Sequence, residues 1–562
     1  MITFKLPGFE RNMIEPLQCP SLRHSFSRLL DECKNMKELK RIHTLLIISP
    51  YLSKNDHFFL TTRLLFFCAT SDSGSLSYAN DVFRLVQNPN LFAYNAMIRA
   101  YASKIDGGYE PSARALLLYK QMLSNGVAPD SLTFPFLVKV CTRMAEFGTG
   151  RSIHSQVMRL GYHNDLFIQN SMICLYSTAG FLNSARYLFD GMLTRDVVSW
   201  NSIIIGCLRN GDLDSALNLF RRMQKRNIFT WNSMITGFVQ AGRPKEGLEF
   251  FHEMQIINED MIRPNKITIA SALAACASLG AIEHGKWVHG YLQRSGIERD
   301  VVIETALIDM YGKCGCVEKA VEIFKKMAKK DILAWTTMIS VFALHGYGNE
   351  AFDLLKEMES EGVKPNHVTF VGLLSACAHS GLVEKGRWCF DMMEPVYSIK
   401  LQVQHYACMV DILSRAGFFK EAERLIRNMP MEPDAFVWGA LLGGCQRHGN
   451  VELGQKVAQY LIHLNPLNHA FYVNLCEIFA KTGRFDNVRR VRAVMKEKGI
   501  KKVIPGCSMI EVDGVVYEFS VKGSPVVILE EVVWVLNGLS NEMKIDRDMH
   551  YYELKPVEAE IW

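Results

Sequence analysis

Apolar residues in this chain recur three and four positions apart over most of its length, the spacing of one face of an α-helix. These runs come in pairs broken by a glycine. Gly180, Gly211, Gly242, Gly280, Gly315, Gly346, Gly381, Gly417, Gly449 and Gly483 succeed one another at intervals of 31 to 38 residues. Five residues past each of the first nine stands a small residue: Ala185, Ala216, Gly247, Gly285, Ala320, Ala351, Gly386, Ala422 and Gly454. Gly150 takes the same role in an earlier unit. A large apolar residue usually follows four positions later and a methionine three beyond it, as in Phe189 and Met192, Phe220 and Met223, Phe251 and Met254, and Phe324 and Met327. This i, i+4, i+7 spacing puts all three on one helix face. The small residue lets two helices approach closely, and the glycine suits a turn that needs φ > 0. The pattern predicts helix–turn–helix units that stack, because no unit can bury its apolar face alone.

About twelve such units fill residues 23–434. Two divergent helical pairs follow over 435–502, a tail precedes them over 1–22, and a further segment spans 503–562. The unit at 91–130 carries an insertion near Ile105–Tyr109, where Gly107-Gly108 predicts an exposed loop. First helices open with an aromatic and then a small polar residue: Tyr94-Asn95, Trp200-Asn201, Trp231-Asn232 and Trp335-Thr336. Asn170 and Thr305 hold the same place. Stacked, these residues form a ladder with one rung per unit, and Asn and Thr each offer both a donor and an acceptor. A second reading makes them helix caps. The unit ends are patterned as well: Asp130, Asp165, Asp196, Asn227, Asn265, Asp300, Asp331, Asn366 and Asp434.

Strings such as VVSWNSIIIGCLRNG and ILAWTTMISVFALHG resemble pentatricopeptide repeats, and the tetratricopeptide Trp-Leu-Gly-Tyr pattern is absent. Units of about 31 residues mixed with units of 35 or 36 resemble the plant class with long, short and standard repeats. The resemblance covers roughly residues 23–521. It implies an all-α fold, a right-handed α-solenoid, and one base of single-stranded RNA read per unit. The base-reading pairs it implies are Asn95 with Asp130 and Asn170 with Asp196 for U, and Asn201 with Asn227 and Asn232 with Asn265 for a pyrimidine. Thr305 with Asp331 would read G, and Thr336 with Asn366 would read A. Phe92, Phe167, Val198, Phe229, Val302 and Leu333, three residues before the readers, would stack on the bases. Pro135, Ala270 and Val371 occupy the reading position in long units and would read weakly. The expected core is 5′-U-x-U-Y-Y-x-G-A-3′.

Residues 435–502 resemble the paired E motifs of editing-type relatives, with Gly439 at the reading position. The following PGCSMIEVDGVVYEFSV resembles the short E+ extension, and its Asp513-Gly514 predicts a β-hairpin. Longer relatives end in a zinc deaminase with H-x-E and C-x-x-C ligands. Neither pattern occurs here, and there is no G-x-x-x-x-G-K-[ST] or G-x-S-x-G. The expectation is therefore a non-enzymatic site-recognition factor for organellar C-to-U editing. It would recruit a deaminase-bearing pentatricopeptide protein and accessory proteins in trans. Splicing, stabilisation or translation of organellar RNA is the alternative, with a protein-interaction solenoid behind both. No cofactor and no metal are expected. The organelle expected is the mitochondrion, with the chloroplast as the alternative; the N-terminal MITFKLPGFERNMIEP is a weak targeting segment or a plain tail.

Charge sharpens this picture. The net charge of +5 over 562 residues conceals an asymmetry, since residues 503–562 hold four Lys/Arg against eleven Asp/Glu. That leaves +12 on residues 1–502, suited to RNA, and an acidic tail suited to protein. The stretch Val526–Leu536 is too short to span a membrane and carries Glu530 and Glu531. Among fifteen cysteines, Cys33, Cys68, Cys141, Cys207, Cys276, Cys377 and Cys445 are expected late in first helices as small core residues. Cys314 and Cys316, flanking Gly315, are read as turn packing.

Overall fold

The computed structural model describes residues 19–103, 109–256, 262–500, 507–512 and 515–520. The N-terminal tail, the Gly107-Gly108 loop, Asp513-Gly514 and the acidic stretch beyond residue 520 lie outside the described residues. The chain divides into two compact bodies, residues 1–237 and 238–562.

Within each body α-helices alternate as predicted. In the first body, first helices run over Leu91–Ser103, Thr133–Met144, Leu166–Thr178 and Val197–Arg209. They alternate with second helices such as Phe147–Arg159, Leu182–Asp190 and Leu213–Arg222. In the second body, first helices run over Lys266–Leu279, Val301–Lys313, Ile332–Leu344, His367–Ser380, Val403–Arg415, Ala435–His448 and His469–Lys481. Ile228–Gln240 is the first helix at the boundary. In the C-terminal segment β1 (Cys507–Val512) and β2 (Val515–Ser520) pair antiparallel, Val512 opposite Val515.

The turn glycines do what the spacing requires. All ten, from Gly180 to Gly483, have φ between 64° and 83°, the left-handed region that costs a side chain dearly. The small residue on each second helix is buried, and its size is matched to its neighbour. A methyl added to Gly285 would lie 2.3 Å from Met310 Sδ, and one on Gly454 would lie 2.8 Å from Ile478 Cδ1. Glycine stands where the next first helix brings a long side chain.

Successive units also clasp through aromatic rings. Phe220 meets Trp231 edge to face at 4.9 Å, and Phe324 meets Trp335 in the same way at 4.8 Å. Such pairs add about 0.5–1.5 kcal/mol beyond the apolar area they bury. A basic residue closes each clasp. Arg226 lies 4.5 Å over the Phe220 ring, and its Nε donates to the Phe220 carbonyl at 3.0 Å, capping the second helix.

The cysteines largely occupy the expected place. Cys68, Cys141, Cys207, Cys276, Cys377 and Cys445 are buried late in first helices. Burial pushes the Cys377 and Cys445 thiols up to about 12, which leaves them unreactive. Cys33 departs from the expectation. It follows the end of helix Cys19–Glu32 and is half-buried, its Sγ beside the Asn35 carbonyl at 3.5 Å.

This packing has a direct test. A methyl on Gly312 would meet Val341 Cγ2 at 2.2 Å, and valine has little rotamer freedom with which to yield. Gly312→Ala should destabilise the second body by about 1–3 kcal/mol, seen as a lower denaturant midpoint. Gly439→Ala, which meets nothing within 4 Å, should leave the midpoint unchanged or raise it. Equal midpoints for the two variants would contradict the packing.

Candidate nucleic-acid interface

The start of each first helix builds the rung. The first four backbone N–H groups of a helix lack partners inside it. Here the unit-end residue of the preceding repeat supplies one. Asp165, Asp196, Asn265, Asp300, Asp331, Asn366 and Asp434 are the N-caps of the helices that follow them. Asp130 does the same work, accepting from the Thr133 N–H at 3.0 Å. The capping role weighed for the polar readers thus belongs to the unit ends. The readers lie five residues past the cap, inside the helix.

The cap engages one side-chain oxygen and leaves the rest of the group. Asp196 Oδ1 accepts from the Ser199 N–H and from Ser199 Oγ, both at 2.8 Å. Asn227 Oδ1 accepts from the Thr230 N–H and Thr230 Oγ, both at 2.9 Å. Because an N–H must be met by oxygen, the Asn227 amide orientation is fixed and Nδ2 is its remaining polar atom. Partial burial pushes the Asp196 carboxyl upward. The Ser199 N–H and hydroxyl, the Asn170 amide and the Val198 N–H outweigh this and hold it below the usual carboxylate range. Asp196 is therefore ionised at neutral pH, an acceptor on both oxygens.

The readers lie beside these caps. Asn95 Nδ2 donates to Asp130 Oδ1 at 2.9 Å, Asn170 Nδ2 to Asp196 Oδ1 at 3.4 Å, and Asn201 Nδ2 to Asn227 Oδ1 at 3.5 Å. Thr336 reaches Asn366 through a third residue: its Oγ1 lies 3.1 Å from Thr369 Oγ1, which donates to Asn366 Oδ1 at 3.1 Å. Thr305 differs. Its hydroxyl turns back to the Val301 carbonyl at 2.7 Å, while Asp331 caps through the Ala334 N–H at 2.9 Å. Asn232 lies in the first body, where it is buried, and Asn265 in the second, where it caps through the Thr268 N–H at 3.1 Å.

Burial separates the two residue sets. Asn170, Asn201, Asn232, Thr305 and Thr336 are only 5–7 % exposed, and the Asn170 and Asn201 amide oxygens are buried without a hydrogen-bond partner. Phe92, Phe167, Val198, Phe229, Val302 and Leu333 are 47–74 % exposed, although all are apolar. The same position is exposed and apolar at Leu132, Ile267, Val368 and Phe436, beyond the six expected. Sequence reasoning also missed the hydroxyls of Thr133, Ser199, Thr230, Thr268 and Thr369, although each lies three residues past a unit-end Asp or Asn. That spacing is a capping-box signal.

The sequence matches the PPR repeat at residues 170–197, 229–258, 305–332, 368–394 and 405–432, and the PPR repeat family at 195–229 and 330–379. It matches the E motif at 448–511. The pentatricopeptide repeat-containing protein At5g66520 of Arabidopsis thaliana is 44% identical over 513 residues, covering 91% of this chain and 79% of the relative. The chain belongs to the pentatricopeptide repeat family. The Arabidopsis thaliana pentatricopeptide repeat-containing protein At5g48910 is 37% identical over 556 residues, covering 96% of this chain and 84% of the relative. Among solved structures, the pentatricopeptide repeat protein PPR10 from maize is 17% identical, with 86% of this chain and 85% of that chain covered and a TM-score of 0.41.

The capping role of a unit-end residue in this pentatricopeptide array can be tested by substitution. Asp196→Ala removes the cap and should cost about 1 kcal/mol, seen as faster amide exchange in helix Val197–Arg209. Asp196→Asn keeps an oxygen for the cap and should leave exchange close to that of the parent. Faster exchange of equal size in both variants would rule out the cap assignment.

Proposed function

We propose that this pentatricopeptide repeat protein binds single-stranded organellar RNA sequence-specifically and selects a site for C-to-U editing. The observation that carries the reading is the register of the rungs. An exposed apolar residue recurs two positions past the caps, and at Asn95, Asn170, Asn201 and Thr336 a polar residue three positions beyond it reaches the next cap directly or through one hydroxyl. One unit thus offers a base both a stacking surface and a hydrogen-bonding pair.

The cap geometry supplies a physical reason for the base assigned to each rung. An ionised unit-end Asp has only acceptors to offer, so it suits bases whose central Watson–Crick atom is an N–H: U through N3 and G through N1. A unit-end Asn has its oxygen engaged by the helix and offers Nδ2, a donor. It suits bases with a lone pair there: C at N3 and A at N1. The reader then separates sizes. The longer Asn favours the smaller pyrimidines, and Thr leaves room for a purine. On this reading Asn95/Asp130 and Asn170/Asp196 select U, Asn201/Asn227 and Asn232/Asn265 a pyrimidine, Thr305/Asp331 G, and Thr336/Asn366 A. Phe92, Phe167, Val198, Phe229, Val302 and Leu333 stack on those bases.

The excess of basic residues over 1–502 suits a polyanion. The E motif, and the resemblance of the segment after it to an E+ extension, favour editing over other RNA tasks. In this reading residues 435–502 are two E-like units and 503–562 the acidic extension, and this end recruits the deaminase-bearing protein and its accessory proteins. In this reading the zinc chemistry of deamination is assigned to that partner. The protein's place is an organelle, in keeping with relatives named chloroplastic or chloroplastic/mitochondrial; the mitochondrion is the assignment proposed.

Two measurements test this. Thr336→Asn should move preference at one nucleotide from purine to pyrimidine in binding to synthetic RNAs based on 5′-U-x-U-Y-Y-x-G-A-3′; an unchanged profile would sink the assignment. In a loss-of-function line, sequencing of organellar transcripts should show one or a few C-to-U events missing. Intact editing with an unspliced intron would favour the alternative role in splicing.

A further inference from the structure

We propose that the buried hydroxyls of Thr133 and Thr369, three residues past the caps Asp130 and Asn366, are third members of their reading rungs, positioning residues that set which atom of the reader meets the base. Thr133 shows the arrangement most fully. Its Oγ1 accepts from the Asp130 N–H at 3.1 Å and lies 2.7 Å from Asn95 Oδ1 and 2.8 Å from Asp130 Oδ1. A hydroxyl has a single proton, so it donates to the reader or to the cap. Donation to Asn95 occupies the amide oxygen and leaves Nδ2 as the atom to meet a base. Both pyrimidines carry a carbonyl at C2 that accepts from such a donor. A flipped amide would present an acceptor instead, and that preference would be lost.

Two threonine readers provide an internal comparison. Thr336 has Thr369 across the junction, and its hydroxyl is paired with that residue at 3.1 Å. Thr305 has Ala334 at the corresponding place, three past Asp331, and its hydroxyl has turned away to the Val301 carbonyl of its own helix. The same side chain takes two settings according to whether the third hydroxyl is there. The sequence follows the same division. Thr133, Ser199, Thr230, Thr268 and Thr369 accompany the readers Asn95, Asn170, Asn201, Asn232 and Thr336. In the units whose reading position holds Pro135 or Ala270, the residue three past the unit end is Ile168 or Ile303. The third long unit departs from this division: its reading position holds Val371, yet His405, three past Gln402, accepts from the Gln402 N–H at 2.9 Å in a capping box of its own.

The inference rests on the base-reading proposal, and one assay separates their failures. Binding of the purified full chain is measured against four synthetic single-stranded RNAs differing only at the nucleotide assigned to Asn95 and Asp130. Thr133→Val removes the hydroxyl at constant shape. It should lower affinity for the two pyrimidine-bearing RNAs about five- to tenfold relative to the purine-bearing pair, and leave discrimination elsewhere unchanged. Thr133→Ser should restore the preference. Ala334→Ser should raise discrimination at the nucleotide assigned to Thr305. A Thr133→Val protein weakened equally toward all four RNAs would overturn the inference and leave only a capping role. A parent protein that fails to discriminate at any nucleotide would overturn the base-reading proposal itself, and this inference with it.

Discussion

The hydrogen bond from the first turn of each first helix to the last residue of the preceding unit governs the rest of this molecule. A helix that begins at a unit junction exposes N–H groups with no internal partner. A short side chain with an oxygen is the economical solution, which restricts the unit end to Asp or Asn in nearly every repeat. The cap uses one oxygen and one direction. What the side chain then offers its surroundings is no longer a free choice. Asp196 retains an acceptor, and Asn227 a donor. What each unit end still offers its surroundings is the remainder left by a folding requirement, renewed once per unit.

That remainder is useful only if successive rungs keep their spacing, and the packing provides this. Gly285 against Met310 and Gly454 against Ile478 bring neighbouring helices close enough that no methyl fits between them. Phe220 on Trp231 and Phe324 on Trp335 fix the angle at which one unit meets the next, with Arg226 and Lys330 over the rings. Close-packed contacts of this kind do not deform gradually. The rungs within each body are therefore held at a set interval by side chains that belong to no rung.

Much of this is legible in the sequence, and the physical reasons differ by element. The turn glycines can be read because φ near 70° excludes most other residues, and the partners Ala185 or Gly285 because a close helix approach admits nothing larger. Cys377 and Cys445 can be placed by their recurrence at one position of the unit. The unit-end residues recur in register with the polar residues of the first helices, yet spacing alone leaves open which of the two caps the helix. Sequence spacing shows that two residues recur together and not which N–H each one meets. Thr305 is indistinguishable from Thr336 for the same reason: the difference lies in Ala334 against Thr369, about thirty residues away in each case. Cys33 is misplaced by its spacing because helix Cys19–Glu32 ends just before it.

The distribution of polarity along the rungs is the reverse of what a folded chain adopts on its own account. Asn170 and Asn201 are buried, each with an amide oxygen lacking a partner, a condition that costs about 1–3 kcal/mol apiece. Phe167 and Val198, two positions past the caps at Asp165 and Asp196, are exposed where a polar side chain would cost nothing. Each departure alone is common on protein surfaces. Their repetition in register, unit after unit, is not explained by the packing, which is complete without them. A ligand with a flat apolar face and a polar edge, presented at the repeat interval, relieves both at once. A nucleobase has that form. The same strip of chain is therefore well made as a helix start and incompletely made as a surface, its exposed apolar side chains and unsatisfied amides recurring together.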